Sequence, residues 1–475
     1  MANKYFDTYF LDSKQALKES KENNRVDCTS AVTGTQICYY LGEKIKKAPK
    51  NCINVPVENI YLFFRDSSYR IPTKISYDNT QANQEKQKVL SEKITLIIQK
   101  SILDQKKLIL EYKDKIQNNR PSFKDKKWRV FIPSSKLTTA MQHISRHLGN
   151  TFKKMGYDVM LFIEENDMQY CSQLAQLRAH HKFNPHITVN LNHFNNNYLH
   201  KKVFNIVWMQ DPMQSIIDPS SNIKVRKRDI IYSVAVPIDY ALRNKNIPFQ
   251  RQNFVINSSI YKKIPNIRRE KKIVFVGSSY LPNLHKDTPK ELFNDIYHIF
   301  INGFDFDESK IKQLAIKYNL DFIYVIIRVI NFVIRDYSVL ELCRLNTDYK
   351  IEIYGWGWEV YPDIKPYFKG ALKYGKDIAK VFNSATYSLS PHSSSIIQQR
   401  VLEAAACGCI PIVYDCKSIE PPPFYDKNLI YYKDLNTLKK ILEVSPTRKL
   451  KKLINENTYK KLTKRILEDI KGIRK

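Results

Sequence analysis

Arg400 and Glu403 are the side chains whose types and spacing most strongly suggest chemistry. They lie in SIIQQRVLEAAACGCIPIVYDC, residues 395–416. Residues three apart share one face of a helix. A helix beginning near residues 394–396 would offer free N–H groups and a guanidinium to an anion, while the carboxylate can accept two hydroxyl hydrogen bonds, as a ribose supplies. The stretch therefore suits a sugar nucleotide; the alternative interpretation is a surface ion pair worth about 0.3 kcal/mol.

Other residues of suitable type follow predicted strands or open this predicted helix. Serines at the helix start are good N-caps, and small residues after a strand let backbone N–H groups approach a phosphate. Trp356 either stacks on a base or covers the core, and structural roles remain the alternative for the rest. The donor-side candidates are Arg400, Glu403, Ser394, Ser395, Gly277, Ser278, Ser279, Gly355, Trp356 and His392.

Three residues in the preceding half of the chain are of types that serve as a general base. Asp211 follows NIVWMQ and precedes a proline, His193 follows HITVNL, and His143 lies early in a predicted helix. A general base needs reach to the acceptor hydroxyl and a pKa near the working pH. A structural role is the alternative for each of them.

Strand-like and helical patterns alternate along the chain from Trp128 onward. WRVFIPS, YDVMLFI, HITVNL, FNIVWM, DIIYSV and QNFVI (252–256) read as strands, and the pattern restarts with IVFVGSS (273–279). This alternation predicts an α/β fold with two Rossmann-like domains, residues 126–265 and 270–445. Ligands of such sheets bind beyond the carboxyl ends of the strands, so we expect the site in a cleft between the two domains.

The two ends of the chain lie outside these domains. For residues 1–125 we predict a mostly helical N-terminal extension of unknown role, with a strand at NIYLFF (59–64) and a long helix over 84–118. Residues 446–475 predict a basic C-terminal helix. This helix either lies on an anionic membrane face or packs across the two domains.

Charge and cysteine usage bound the partners and the location. The 77 Lys and Arg residues against 47 Asp and Glu give a net charge of +30, which suits nucleic acid, anionic membranes or phosphorylated substrates, although part of it fits a compositional bias toward lysine. We see no signal peptide, and the apolar run 322–334 is too short to span a bilayer and reads as a buried helix. Eight cysteines without a CxxC pair predict reduced, buried thiols in a cytoplasmic protein.

Three stretches resemble the GT-B glycosyltransferases. RVLEAAACGCIPIVYD resembles their C-terminal signature and is most similar to the CgeB-like branch of the glycosyl transferases group 1 family. NIVWMQDP (205–212) is similar to the W-x-x-D-x-P element of that branch, and YFKGALKYGKDIAKVFNSATYSLSPH is similar to the stretch before the glutamate helix. The likeness covers about residues 128–445.

The resemblance implies transfer of a sugar from a nucleotide-diphosphate sugar to a hydroxyl acceptor: a surface polysaccharide, a lipid-linked saccharide or a protein. It implies no metal ion and no cofactor beyond the donor substrate, with Glu403 holding the ribose hydroxyls. Many retaining members carry a second glutamate eight positions earlier, where this chain has Ser395, so the stereochemistry stays open. That departure also motivates a non-catalytic scaffold as an alternative.

The partners expected are a nucleotide sugar and peripheral contact with the inner face of an anionic membrane. The net charge motivates a nucleic-acid-binding protein as a second alternative. No helix-turn-helix, RNA-recognition or zinc motif is readable, so we expect no nucleic acid partner.

Overall fold

The structure is a computed structural model of the 475-residue chain. It describes residues 8–11, 26–29, 32–34, 37–41, 44–67, 69–72, 74–75, 84–136, 138–166, 168–169, 173–301, 307–420, 429–444 and 450–474. The chain divides into two compact units, residues 1–206 with 226–229, and residues 207–225 with 230–475.

The N-terminal region combines a small parallel sheet with a long helix. The sheet has the order β5-β4-β1-β6, and β2 pairs with β3 in antiparallel fashion. The long helix was predicted over 84–118 and is confirmed at both ends, whereas no pattern indicated the sheet. The elements are β1 (Thr8–Leu11), β2 (Val26–Thr29), β3 (Val32–Gly34), β4 (Ile37–Tyr40), β5 (Cys52–Asn54), α1 (Ile60–Asp66), β6 (Lys74–Ile75) and α2 (Gln84–Asn118).

The strand predicted at residues 59–64 is wrong, because this segment forms α1. Pro56 precedes a 3-10 turn, Val57–Asn59, whose end continues directly into the helix. Phe64 packs edge-on against Tyr39 of β4, with ring centroids 5.2 Å apart. An aromatic run was therefore mistaken for a strand, whereas its side chains are buried from one face of a helix.

A six-stranded sheet follows, in the order β12-β11-β10-β9-β7-β8. β7 lies between β8 and β9 with both pairings parallel, and β12 extends β11. The strand predicted at 252–256 is wrong, since the paired residues are Gln250 and Arg251. The elements are β7 (Arg129–Pro133), α3 (Thr139–Lys154), β8 (Asp158–Phe162), α4 (Gln173–Phe183), β9 (Ile187–Leu191), β10 (Phe204–Met209), α5 (Gln214–Ile217), β11 (Asp229–Ser233), α6 (Val236–Asn244) and β12 (Gln250–Arg251).

A five-stranded parallel sheet in the order β14-β13-β15-β16-β17 carries the rest of the chain. Both large sheets place their first strand between the second and the third, as doubly wound folds do, and this confirms the predicted pair of Rossmann-like folds. The domain boundaries themselves remain predictions. The elements are β13 (Glu270–Val276), α7 (Lys290–Ile301), α8 (Glu308–Lys317), α9 (Phe322–Tyr324), α10 (Ser338–Arg344), β14 (Lys350–Tyr354), α11 (Lys376–Ser384), β15 (Ala385–Ser390), α12 (Gln399–Ala406), β16 (Ile410–Tyr414), β17 (Ile430–Tyr432), α13 (Leu435–Glu443), α14 (Lys451–Glu456) and α15 (Tyr459–Arg474).

The apolar run 322–334 forms the predicted buried helix, with an irregular backbone. Two π-helical segments, Val325–Ile330 and Val333–Tyr337, join α9 to α10. Val325, Val329 and Val333 are fully buried in the core of the five-stranded sheet. This helical segment therefore packs where a helix of a doubly wound fold belongs, and its π turns set the direction of the residues at its end.

The basic C-terminal segment forms two helices, α14 and α15, in place of the single predicted one. Leu462, Ile466 and Ile470 of α15 are buried, and Asp469 accepts a hydrogen bond from the Tyr232 hydroxyl at 2.5 Å. The apolar side of α15 thus packs inside its own unit. Contact of this helix with a membrane would rest on its lysines alone.

Six of the eight cysteines agree with the predicted state of the thiols. Cys38, Cys52, Cys343, Cys407, Cys409 and Cys416 are free and buried. In the described ranges no helix is both long enough and apolar enough to cross a bilayer.

Two substitutions in α1 test whether residues 60–66 are helical. In a strand, residues 62 and 64 would share a face, but here Leu62 is exposed and Phe64 is buried. We expect Phe64→Ala to lower the free energy of unfolding by about 3–5 kcal/mol and Leu62→Ala to change it by less than about 0.5 kcal/mol. Urea denaturation measures both values, and equal losses would contradict the helix.

Candidate functional site

The carboxyl ends of β13 and β14 lie in direct contact. The Ser279 N–H donates to the Trp356 carbonyl oxygen at 2.9 Å, and the Trp356 N–H donates to the Ser278 hydroxyl oxygen at 3.3 Å. Gly355 has φ 137°, and a Cβ at this position would lie 2.0 Å from the Gly277 carbonyl oxygen. Two predicted turns, Gly277–Ser279 and Gly355–Gly357, therefore form one structure, with the Trp356 side chain exposed beside it.

A buried carboxylate fixes the turn after β13. Asp336 accepts hydrogen bonds from the Ser279 hydroxyl at 2.5 Å, the Tyr280 N–H at 3.0 Å and the Tyr361 hydroxyl at 2.8 Å. Burial raises the pKa of Asp336, and these three donors oppose that rise. Because the three donors surround one side chain, the turn is held rigidly at the sheet edge.

Arg335, next to Asp336, places a half-buried cation at the same edge. Its guanidinium lies 3.7 Å from the centroid of the Tyr280 ring, and Nη1 donates to the Ser278 carbonyl oxygen at 3.4 Å. Nε is buried and has no hydrogen-bond partner among the described residues. Burial, reinforced by the charge of Arg335, lowers the pKa of His392 to about 3, so this imidazole is neutral at physiological pH.

The loop after β15, residues 391–398, is here named the serine loop. The Ser393 hydroxyl donates to the Asn331 side-chain oxygen at 2.6 Å, and the Ser394 N–H donates to His392 Nδ1 at 3.2 Å. The hydroxyls of Ser394 and Ser395 are buried and have no hydrogen-bond partner in the described ranges. An unpaired buried hydroxyl is costly, so these two groups are suited to a ligand.

The serine loop replaces the predicted start of the glutamate helix. α12 begins at Gln399, and Gln398 is extended with ψ 156°, so the prediction of a helix start near 394–396 capped by Ser394 or Ser395 is wrong. The segment before Gln399 is instead held in the loop by side chains of other elements, because Asn331 accepts from the Ser393 hydroxyl and Glu420 accepts from the Ile396 N–H. Glu420 also pairs with Arg251. The loop is thus fixed by a carboxylate from elsewhere in the chain.

Arg400 and Glu403 form an ion pair on α12. Glu403 is completely buried, and its second oxygen accepts a hydrogen bond from the Gln399 amide at 3.0 Å. The carboxylate also raises the pKa of the buried Tyr261 and Tyr374 hydroxyls, although their own burial is the larger cause. Glu403 is therefore enclosed, whereas the Arg400 side chain is 34% exposed, and the donor-binding role of the pair stays a prediction.

A mainly apolar pocket of about 220 Å³ borders the serine loop within the second unit. Ile327 and Ile330 line it from the π-helical segment, and Tyr240 lines it from α6. Its polar lining residues are Ser393, Ser394, Arg243 and Glu308. In a doubly wound sheet, ligands bind beyond the carboxyl ends of the first and third strands, where the strand order reverses. The serine loop follows β15 at this end of the sheet, so the pocket lies beside the expected position.

The three general-base candidates remain predictions. His143 lies in α3 with its ring 6.4 Å from that of His147, and burial lowers its pKa. His193 follows β9 and Asp211 follows β10, and both are exposed. The two histidines belong to the first unit and Asp211 to the second.

Sequence reasoning missed Arg335, Asp336 and Glu420. Arg335 and Asp336 directly follow the apolar run 322–334, and a charged pair at the end of a buried helix was a readable signal. Glu420 lies 24 positions after the backbone group it binds, and no local pattern indicates such a contact. We name Gly277–Ser279, Gly355–Gly357, Arg335 and the serine loop the strand-end cluster.

Comparison with known proteins gives a family match for part of the chain. Residues 335–466 match the family model described as glycosyl transferase-like, a range that begins at Arg335 and includes the serine loop and α12. No curated protein matches the chain. The match extends over less than half of the chain, and it does not distinguish a CgeB-like branch.

Several solved structures are broadly similar at low identity. A glycosyltransferase from Rickettsia africae has a TM-score of 0.45 at 10% identity, covering 74% of this chain and 100% of that one. HepE from Anabaena, solved in complex with UDP-glucose, has a TM-score of 0.40 at 10% identity, and the match covers 73% of this chain and 100% of HepE. Sucrose-phosphate synthase from Thermosynechococcus elongatus has a TM-score of 0.40 at 10% identity, and the match covers 73% of this chain and 95% of the synthase. Neither residue roles nor substrates follow from TM-scores of this size.

Two glycine substitutions test the close approach of β13 and β14. In Gly355→Ala the new Cβ meets the Gly277 carbonyl oxygen, and we expect a loss of more than about 3 kcal/mol in unfolding free energy. Gly370→Ala is the matched control, since φ is 82° with nothing within 4 Å, and should cost about 1–2 kcal/mol. Thermal or urea unfolding compares them, and equal losses would count against the contact.

The carboxyl of Glu420 should make stability depend on pH. Burial raises its pKa to about 7, partly offset by Arg251 and the Ile396 N–H. A raised pKa means that the folded state holds the proton more tightly than the unfolded state, so this stability is present at low pH and is lost as the pH rises through 7. The size is at most about 3–4 kcal/mol.

Urea unfolding of wild type and Glu420→Gln at pH 5 and pH 8 measures this contribution. The glutamine variant should show a smaller fall in unfolding free energy between the two values, because it has no proton to release. A variant whose fall equals that of the wild type would show that Glu420 is not the titrating group.

Proposed function

We propose that this protein is a glycosyltransferase that moves a sugar from a nucleotide-diphosphate sugar to a hydroxyl acceptor. One observation carries the proposal: Arg335 lies beside the serine loop at the carboxyl ends of β13, β14 and β15. Within the described part of the chain, Arg335 Nε and the hydroxyls of Ser394 and Ser395 have no hydrogen-bond partner. A cation and buried hydroxyl donors at the switch point of a doubly wound sheet suit a pyrophosphate. The glycosyl transferase-like match over residues 335–466 supports the same reading.

The strand-end cluster would act mainly on the leaving group. As the bond between the sugar anomeric carbon and the phosphate oxygen breaks, negative charge accumulates on the diphosphate. Preorganised donors aimed at that charge contribute most to the rate, and Arg335 with the hydroxyls of Ser394 and Ser395 is such a set. His392 is neutral at pH 7 because of its low pKa, so it would donate one hydrogen bond without adding charge.

The reaction is completed on the acceptor side. The acceptor oxygen forms a bond to the anomeric carbon and loses its proton to a general base, and the nucleoside diphosphate departs. Asp211, His193 and His143 are the proposed bases. We propose that Arg400 binds the donor phosphates and that Glu403 binds the ribose hydroxyls. The ribose would then share the Glu403 carboxylate with Arg400 and Gln399, which both donate to it in this structure.

The remaining parts of the proposal concern the setting of the reaction. We infer catalysis without a metal ion or an added cofactor. The proposed acceptors are a surface polysaccharide, a lipid-linked saccharide or a protein, reached from the cytoplasm. Membership of the CgeB-like branch is also proposed, from the sequence motifs alone.

A donor screen with an arginine variant tests the function. Thermal unfolding is measured with UDP-, GDP-, CMP- and dTDP-sugars, and one of them should raise the melting temperature. Arg335→Gln should raise the Kd for that donor about 10- to 100-fold, because the charged hydrogen bonds of one guanidinium are lost. Arg328→Gln is the matched control, because Arg328 lies on the same helical segment and is exposed.

Turnover separates an enzyme from a scaffold. Release of the nucleoside diphosphate should continue in EDTA and should fall in Arg335→Gln and Glu403→Gln. Donor binding without turnover would favour a non-catalytic scaffold. Failure of every sugar nucleotide to bind, with salt-sensitive binding of oligonucleotides, would favour the nucleic-acid alternative.

A further inference from the structure

The long helix α2 carries a line of exposed apolar side chains at heptad spacing. Val89, Leu96, Leu103 and Leu110 are 57%, 66%, 58% and 65% exposed. We name these four residues the apolar stripe. In the described ranges, ten large apolar side chains are exposed, and four of them lie on this one helix. The exposed apolar side chains are therefore concentrated on α2.

The geometry of a helix keeps the apolar stripe on one side. Residues seven apart are about 10.5 Å apart along the axis and drift by about 20° per heptad, so the four side chains stay within about 60°. Another face of α2 is already occupied, because Ile94, Ile98 and Ile116 are buried in the first unit. The helix is therefore anchored by one face and presents the stripe outward.

Lysines surround the apolar stripe. Lys93, Lys100, Lys106 and Lys107 are exposed, and each lies three or four positions from a stripe residue, which places it beside the stripe. Among the described side chains, two exposed acids, Glu92 and Asp114, lie at the same spacing, so the exposed lysines outnumber the acids beside the stripe by four to two. The nearby Asp104 is already engaged, since it pairs with Lys107 at 3.0 Å. The surface thus combines apolar contact points with an excess of positive charge.

We propose that the apolar stripe docks α2 on the surface of an anionic lipid bilayer. Leucines would enter the interfacial region while the flanking lysines meet lipid phosphates and carboxylates. The apolar side of α15 is buried, so α2, and not the C-terminal helix, supplies the membrane face. This inference does not depend on the proposed function.

A second copy of the helix fits the stripe less well. In a parallel coiled coil, the positions three residues after each stripe residue would face their own copies. Those positions are Glu92, Gln99, Lys106 and Lys113, so the pairing would bring lysine against lysine in two successive heptads. Charge thus favours an anionic surface over self-association.

Vesicle co-sedimentation of the full chain tests the inference. Wild type should bind vesicles of phosphatidylglycerol with phosphatidylcholine, and binding to pure phosphatidylcholine should be at least tenfold weaker. Leu96→Glu with Leu103→Glu should reduce binding to the anionic vesicles at least tenfold. Lys93→Gln with Lys100→Gln should reduce it severalfold and make the remaining binding less sensitive to salt.

A matched control keeps the result specific. Ile316→Glu with Val444→Glu makes the same change of charge at two exposed apolar side chains away from α2, one in α8 and one directly after α13, and it should bind as wild type does. Equal loss in this control would overturn the inference, as would equal binding of wild type to neutral vesicles. A wild-type dimer in solution that the stripe variant converts to a monomer would also overturn it, because the stripe would then be a coiled-coil seam.

Discussion

The arrangement of the candidate site depends on one buried carboxylate. Asp336 gathers the Ser279 hydroxyl, the Tyr280 N–H and the Tyr361 hydroxyl around two oxygens. These donors belong to the turn after β13 and to the segment after β14, so a single side chain ties together two neighbouring strand ends. Its neighbour Arg335 receives its position from the same anchor. An isolated buried charge is unfavourable, and here its three donors make the position specific.

The sequence predicted the regular elements well because their signals are local. Alternating strand and helix patterns gave both large parallel sheets, and helical periodicity gave α2 to the residue. The errors have particular physical causes. NIYLFF forms α1 because a proline-initiated turn continues into a helix. The serine loop is held outside α12 by Asn331 and Glu420, which belong to other elements. The small N-terminal sheet joins strands of two to four residues, which are too short to produce a period.

The candidate site was only partly predictable for the same reason. Residues that directly follow strands, such as Gly277, Gly355 and His392, could be named because the fold class itself places strand ends at the ligand edge. Arg335 and Glu420 reach that edge from other elements. Their contacts join positions 57 and 24 residues apart, and such pairings are properties of the tertiary structure. Sequence motifs therefore identify the loops at the strand ends, whereas the charged side chains that contact those loops are known only from the tertiary structure.

The π-helical segments of residues 325–337 have a consequence for how the chain can vary. A π turn accommodates an additional residue relative to an α-helix, and each residue of a helix rotates the next by roughly 100°. Removing one residue between Ile330 and Ile334 would rotate Arg335 and Asp336 together away from the sheet edge, while Val325 and Val329, which precede the deletion, would stay buried. The length of this segment is thus constrained as much as its residue types. A one-residue deletion there would leave the fold in place but would remove Arg335 and Asp336 from the candidate site.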